Sequence, residues 1–129
     1  PNTVQAEKLY IAALDMLPKP LDLVYDLYAG TGTLGLAASK IAKEVIGIEL
    51  SPEAVLDAEA NRSLNGIENY IMHQGDVGKI LDSLRLDPNF KRPDAVLVDP
   101  PRAGLDAAAL THLKNLMPKS IVYLSCNPK

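Results

Sequence analysis

Short apolar runs alternate along the chain with stretches in which apolar residues recur at helical spacing. The apolar runs predict five strands, at residues 23–28, 44–50, 70–73, 95–98 and 120–125. The intervening stretches predict helices at residues 3–17, 33–42, 51–64, 79–86 and 106–117. Strands that alternate with helices indicate right-handed crossovers, so we expect an α/β fold with a parallel sheet and flanking helices.

The composition of the chain limits the class of protein and the kinds of site that it can contain. The 129 residues are 47% hydrophobic and 22% charged, which predicts one globular domain over residues 1–129. One Cys and two His exclude an internal disulfide framework and the usual zinc sites, so no metal is expected. The net charge of −3 shows no basic nucleic-acid footprint. No apolar run approaches the roughly 20 residues of a membrane span, and we expect a cytoplasmic protein.

The two ends of the chain are abrupt. Residue 1 is a proline rather than an initiator Met, and the last predicted strand is followed by only a few residues. We therefore expect a partial domain, truncated on its carboxyl-terminal side, from a longer polypeptide. The last strand would then be an exposed sheet edge, where association between copies is possible, although the sequence does not give the oligomeric state.

Candidate functional residues follow every predicted strand. In parallel α/β sheets, ligands bind beyond the carboxyl ends of the strands. The segments at those ends are 26–35, Glu49, Asp76, 99–102 and 125–127. We expect all five to converge on one rim of the sheet.

The first of these segments contains a glycine-rich turn of the form G-x-G-x-x-G, with Gly30 and Gly32 as its first two glycines. Such turns bind nicotinamide dinucleotides or S-adenosylmethionine, and alone they also serve as tight turns. Glu49 fits either cofactor, because an acid at the second strand binds ribose hydroxyls in both.

Three further acids favour S-adenosylmethionine. Asp26 lies where a carboxylate meets an ammonium group, Asp76 is placed to accept from an adenine amine, and Asp99 follows the fourth strand. This acidic lining suits a sulfonium and an ammonium and repels a pyrophosphate. A dinucleotide-dependent oxidoreductase and a non-enzymatic Rossmann-like binding module stay open as alternatives.

Asp99 and Cys126 are the candidate catalytic residues. Two prolines stiffen the loop after Asp99, and Arg102 stands where many amino-group methyltransferases carry a base-stacking aromatic residue. Cys126 lies in a polar turn at a strand end, although a lone Cys is commonly a small buried hydrophobe. A thiolate beside a methyl donor indicates covalent catalysis: addition to pyrimidine C6 activates C5, and a base then removes the C5 proton.

The sequence resembles the RNA 5-methyluridine methyltransferases, which are class I, Rossmann-like enzymes dependent on S-adenosylmethionine. The segments that carry the resemblance are DLYAGTGTLGLAA, DPPRAGL and IVYLSCNP, with PNTVQAEKLY at the start. The resemblance covers nearly all 129 residues. The glycine turn is generic, whereas DPPRAG followed at this distance by a strand ending in Ser-Cys-Asn is specific.

The resemblance implies a role for each matching position. It places Tyr28, Gly30, Gly32 and Thr33 in the cofactor loop, Glu49 at the ribose, Asp76 at the adenine, Asp99 between cofactor and uracil, and Cys126 as nucleophile. In the family the proton-abstracting Glu lies further toward the carboxyl end, and an amino-terminal β-barrel grips the RNA partner, a tRNA or rRNA. Some members also hold an iron–sulfur cluster upstream. Residues 1–129 alone are thus expected to bind the cofactor with little turnover.

Another methyltransferase of the same fold, acting on nitrogen or on a small molecule, is the nearest alternative. Away from the rim we predict ordinary packing. His73 and His112 are interpreted as structural or surface residues. The residues predicted to fill or pack against the core are Tyr10, Met16, Met72, Met117 and Tyr123.

Overall fold

A computed structural model describes residues 3–100 and 103–123 of the chain. Arg102 and Cys126 lie outside the described residues, as does the predicted strand beyond Tyr123. Within the described part, no helix has both the length and the apolar character that crossing a bilayer requires.

Helices and strands alternate throughout the described part, as the sequence predicts. The elements are α1 (Thr3–Asp15), β1 (Leu23–Leu27), α2 (Thr33–Ala38), β2 (Glu44–Glu49), α3 (Pro52–Leu64), β3 (Tyr70–Gln74), α4 (Val77–Leu86), β4 (Ala95–Val98), α5 (Ala107–Leu116) and β5 (Ile121–Tyr123). The described strands form one sheet in the order β3-β2-β1-β4-β5, and every pairing is parallel. The prediction of an α/β fold with a parallel sheet is confirmed.

A hydrophobic core lies on each face of the sheet. Along β1, Val24 packs on one face with Leu36 of α2, whereas Tyr25 and Leu27 pack on the other face with Leu113 of α5. Because β1 is central and covered on both sides, all five of its residues are buried, which explains its continuous apolar appearance in the sequence. The strand order reverses between β1 and β4, and the crevice beyond their carboxyl ends is where such sheets bind ligands.

Two of the helix boundaries that differ from the prediction have local reasons. Helix α2 ends at Ala38 rather than at residue 42. The Ser39 hydroxyl donates a hydrogen bond to the Leu36 carbonyl, and the next backbone N–H groups bond to carbonyls three residues earlier instead of four. Helix α4 begins at Val77, two residues early, because the Asp76 side chain accepts from the Lys79 N–H at 2.9 Å and caps it.

Packing predictions for the isolated large side chains had mixed outcomes. Tyr10 is buried and donates to the Val98 carbonyl, and Met72 packs against the core, so both are confirmed. Met16, Met117 and Tyr123 are 86%, 65% and 52% exposed, so those predictions are wrong. Met16 lies just past the end of α1, Met117 turns the chain after α5 at φ +52°, and Tyr123 lies on the outer strand of the described sheet.

Candidate active site

A cavity of about 880 Å³ opens beyond the carboxyl ends of the strands. Tyr28, Glu49, Asp76 and Asp99 lie on its wall, and they follow or end β1, β2, β3 and β4 respectively. We call it the rim cavity. Its volume lies within the usual range for cofactor and small-molecule sites, roughly 300–1,000 Å³. The structure thus brings together four of the residues that the sequence singles out.

Glu49 joins the glycine turn to the start of α3. One carboxylate oxygen accepts from the Gly30 N–H at 2.8 Å, and the other accepts from the Ser51 N–H at 2.9 Å. A carboxylate has about four acceptor positions, so each oxygen keeps capacity for a ligand hydroxyl. Since Glu49 also lies on the cavity wall, it is held in place and able to accept from a diol.

Asp76 combines a structural and a surface role at the same wall. One of its oxygens caps α4, and the side chain is exposed beside Val77, the first residue of that helix. Asp106 caps α5 in the same manner, accepting from Ala109 N–H at 2.8 Å, and also lies on the wall. The two helices therefore present capped amino ends to the cavity, with an acid at each.

Tyr28 lies at the end of β1 with a backbone φ of +59°, a left-handed conformation that is unusual for an aromatic residue. Burial raises the pKa of its hydroxyl, and Asp106 and Asp76 add to the effect. The hydroxyl therefore keeps its proton and remains a hydrogen-bond donor on the wall of the cavity.

Asp26 is buried below the glycine turn, with 2% of its surface exposed. Its carboxyl group lies against Gly35 and receives a hydrogen bond from Tyr70. Burial raises its pKa to about 7, and Asp99 adds to the rise. Among the described residues it is not part of the cavity wall. Its contact with a ligand ammonium group stays a prediction.

The remaining residues of the turn are placed differently from one another. Gly32 adopts φ +81° and precedes the first residue of α2. Gly30 is tied to Glu49, as described above. The Thr33 side chain lines a separate hollow of about 470 Å³ that Leu36 and Asn61 also line. The structure therefore does not bring Thr33 to the rim cavity, and its cofactor role stays a prediction.

Asp99 follows β4 at the centre of the crevice. It is half-buried, and its N–H lies 3.5 Å from the Leu27 carbonyl at the end of β1. The predicted nucleophile, Cys126, falls outside the described residues, as does Arg102. Within residues 3–100 and 103–123, no group of three or more His, Cys, Asp or Glu side chains is arranged to hold a metal ion.

A further part of the cavity wall was not predicted from the sequence. It is formed by small and apolar residues that follow β2, begin α4, and precede or lie within α5, together with His112. These residues are Leu50, Val77, Gly78, Leu105, Ala108, Ala109 and His112. Leu50 is 61% exposed and follows Glu49 directly. An apolar residue directly after the acid that ends β2 was the signal that the sequence offered.

His112 has an environment that the sequence did not indicate. The sequence alone favours a structural or surface role, whereas the side chain is half-buried on the cavity wall against Gly78. Its Nδ1 is buried and has no hydrogen-bond partner among the residues that the structure describes.

Chemically, the arrangement combines acids with an apolar slot. Glu49, Asp76, Asp99 and Asp106 give one cavity four carboxylates against one lysine, Lys79, and Leu50 and Val77 give it surfaces for a flat ring. Such a lining attracts a cationic ligand and disfavours a pyrophosphate. The fold is the Rossmann-like fold of class I methyltransferases, and the crevice lies where that fold places its ligand.

Comparison with known proteins assigns the family. A family model described as tRNA (Uracil-5-)-methyltransferase matches residues 1–129, and the chain belongs to that family. An uncharacterised RNA methyltransferase of Protochlamydia amoebophila is 54% identical over 130 residues, covering 100% of this chain and 29% of that protein. One from Caldanaerobacter subterraneus is 41% identical, covering 99% of this chain and 28% of that protein. The chain thus spans less than a third of these relatives.

Solved structures agree with this assignment. The tRNA (uracil-54, C5)-methyltransferase of Pyrococcus abyssi, in complex with S-adenosyl-L-homocysteine, matches with a TM-score of 0.74 and 30% identity over 96% of this chain and 29% of that one. The precorrin 8w decarboxylase of Methanobacterium thermoautotrophicum matches with a TM-score of 0.78 and 22% identity, covering 99% of this chain and 66% of that one. The second match concerns the fold alone.

Proposed function

We propose that this chain is the catalytic core of an RNA uridine C5-methyltransferase that uses S-adenosylmethionine. The observation that carries the proposal is the convergence of Glu49, Asp76 and Asp99 on one cavity in a chain of this family. The similarity to a Pyrococcus abyssi enzyme that holds S-adenosyl-L-homocysteine supports the same cofactor.

The chemistry of the cavity wall suggests one orientation for the cofactor in this proposal. Glu49 accepts from the ribose hydroxyls, since its position is fixed by Gly30 and Ser51 and it lies on the cavity wall. The adenine lies between the apolar surfaces of Leu50 and Val77, with its amine toward Asp76. The sulfonium and ammonium then lie toward the neighbouring Asp99 and Asp26, whose negative charge stabilises them.

Methyl transfer to C5 of uracil needs a covalent step, because C5 alone is a weak nucleophile. In our proposal the Cys126 thiolate adds to C6, and the electron pair of the C5–C6 bond becomes an enolate. C5 then takes the methyl group from the sulfonium, which leaves as neutral S-adenosylhomocysteine. A base finally removes the C5 proton, the C6–S bond breaks, and the thiolate is released.

Asp99 has a positioning role in this scheme. It is the half-buried acid at the point where β4 ends beside β1, and prolines follow it directly. A carboxylate held there lies between a cofactor in the rim cavity and a target base above it. We propose that it orients the uracil and the methyl donor toward each other.

Trapping with RNA that contains 5-fluorouridine tests the covalent step. Fluorine at C5 cannot leave as a proton does, so the methylated adduct should persist and migrate as a protein–RNA band that contains the cofactor's methyl group. The whole protein should form this band, and the Cys126→Ala variant should lose it entirely.

The neighbouring Ser125→Ala change provides a matched control, because it removes a polar atom beside Cys126 and leaves the thiol intact. That variant should still form the adduct. An adduct that persists in Cys126→Ala, or undiminished methylation by that variant, would contradict the assignment of the nucleophile.

Two alternative functions make different predictions about ligand and product. A methyltransferase of the same fold that acts on nitrogen or a small molecule would methylate without the Cys126 thiol. A dinucleotide-dependent oxidoreductase would bind NAD in preference to S-adenosylhomocysteine in calorimetry. The acids of the rim cavity disfavour the second alternative, because they repel a pyrophosphate.

The RNA partner is also a proposal. The family description names tRNA, and uracil in tRNA or in rRNA offers the same C5 chemistry. With a net charge of −3, residues 1–129 carry no overall excess of positive charge for binding RNA phosphates. We therefore propose that parts of the polypeptide other than residues 1–129 hold most of the RNA.

A further inference from the structure

Tyr70 occupies a space that three glycines leave open. A methyl group at Gly35 would lie 2.6 Å from Tyr70 Cε1, one at Gly47 would lie 2.9 Å from its Cζ, and one at Gly32 would lie 3.2 Å from its hydroxyl oxygen. Ordinary van der Waals contact begins at about 3.5 Å between carbons. The ring therefore packs under the backbone of the glycine turn and against Gly47 of β2, and a side chain at Gly35 or Gly47 would displace it.

The Tyr70 hydroxyl is aimed at Asp26. It donates to Asp26 Oδ2 at 3.3 Å, and both side chains are buried. Burial and the neighbouring Asp26 carboxyl hold the pKa of Tyr70 well above its usual range, so the hydroxyl keeps its proton and remains the donor. Asp26 also receives a backbone hydrogen bond from Gly35, the last glycine of the turn.

The charged groups that face this pair are acidic. Asp99 from the end of β4 and Glu49 from the end of β2 face Asp26, and Glu59 of α3 faces Tyr70. Both neighbours of Asp26 disfavour its ionised form, whereas the Tyr70 hydroxyl favours it. The Tyr70 hydroxyl therefore stabilises a negative charge on Asp26, whereas burial and the neighbouring carboxylates destabilise that charge.

We propose that Tyr70 is a positioning residue for the cofactor, whose hydroxyl hydrogen bond fixes the Asp26 carboxylate beneath the glycine turn so that the carboxylate attracts the cationic end of the ligand. This inference rests on the proposed function. In this scheme Tyr70, a residue of β3, does not touch the ligand and affects binding only through Asp26.

The Tyr70→Phe variant tests the inference, because it keeps the ring among the glycines and removes the donor. Calorimetry with S-adenosylhomocysteine should be run on the whole protein from pH 6 to pH 9. We expect binding about tenfold weaker at pH 7.5, since one hydrogen bond to a charged group is lost. The loss should disappear toward pH 9, because Asp26 ionises at higher pH without its donor.

Tyr25→Phe is the matched control. Tyr25 is buried one residue before Asp26, on the opposite face of the sheet. Its change to Phe therefore removes a hydroxyl that does not contact the glycine turn. That variant should reproduce the affinity and pH profile of the wild type. In an Asp26→Asn background, Tyr70→Phe should have no further effect on affinity, because the hydroxyl acts through the carboxylate.

Three outcomes would overturn the inference. An unchanged affinity and pH profile in Tyr70→Phe would show that the hydroxyl has no role in binding. A loss of the same factor at every pH, or one that persists in the Asp26→Asn background, would show a purely structural role. If the wild type failed to bind S-adenosylhomocysteine at any pH, the proposed function would fail first and this inference with it.

Discussion

Asp26 is a residue of the central strand β1, and its carboxyl group is buried. The sequence placed it correctly at a strand end, but the direction of its side chain depends on which face β1 turns toward α2. The structure points it at Gly35 and Tyr70, and burial raises its pKa to about 7. Tyr70 itself carried no sequence signal, because one aromatic residue in a strand is ordinary core.

The stability of the protein should depend on pH through Asp26. Its pKa is about 7 in the folded state and roughly 3.9 when unfolded, so the folded state binds the proton more tightly. Stability from this group is therefore present below about pH 4 and is lost as the pH rises toward 7. The maximum slope is about 1.4 kcal/mol per pH unit.

The Asp26→Asn variant isolates that contribution, because it keeps the shape and removes the charge. Its free energy of unfolding should exceed that of the wild type at pH 8, and the difference should shrink as the pH falls to 5. Urea unfolding at several pH values measures it. Parallel stability curves for the two proteins would show that Asp26 does not titrate in this range.

At the scale of elements, much of the fold was predictable from the chain. The start of α3 was readable because a capping residue precedes an apolar pattern: Ser51 accepts from the Ala54 N–H at 3.3 Å, with Pro52 as the first residue of the helix. Helix ends were less readable, because α2 stops where Ser39 bonds to the backbone. The residues of α5 that line the rim cavity were not predicted, because their position depends on how α4 and α5 pack over one face of the sheet.

Asp76 and Ser51 are caps of neighbouring helices, and only Asp76 faces the rim cavity. Changing either to Ala should lower the free energy of unfolding by about 1 kcal/mol, because one helix N–H loses its acceptor. Only Asp76→Ala should also weaken S-adenosylhomocysteine binding, by about tenfold, through loss of an adenine contact. Chemical unfolding and calorimetry on both variants check this. Equal affinities would remove Asp76 from the site.

The whole molecule places its chemistry through its strand order. Because the order is β3-β2-β1-β4-β5, the ends of four strands meet around one crevice, and Tyr28, Glu49, Asp76 and Asp99 face one cavity. That convergence followed from strand alternation and the rule for parallel sheets. The place of Thr33 in a separate hollow did not follow, because a helix residue can face either way from a glycine turn.

Loss of the C5 proton is the event that distinguishes the proposed reaction from every other methylation of uridine. Uridine-containing RNA with tritium at C5 should therefore be incubated with the whole protein and S-adenosylmethionine labelled with ¹⁴C in its methyl group. One tritium should enter water for each methyl group that enters RNA. Methyl incorporation without tritium release would place the methyl group on another atom and contradict the proposed reaction.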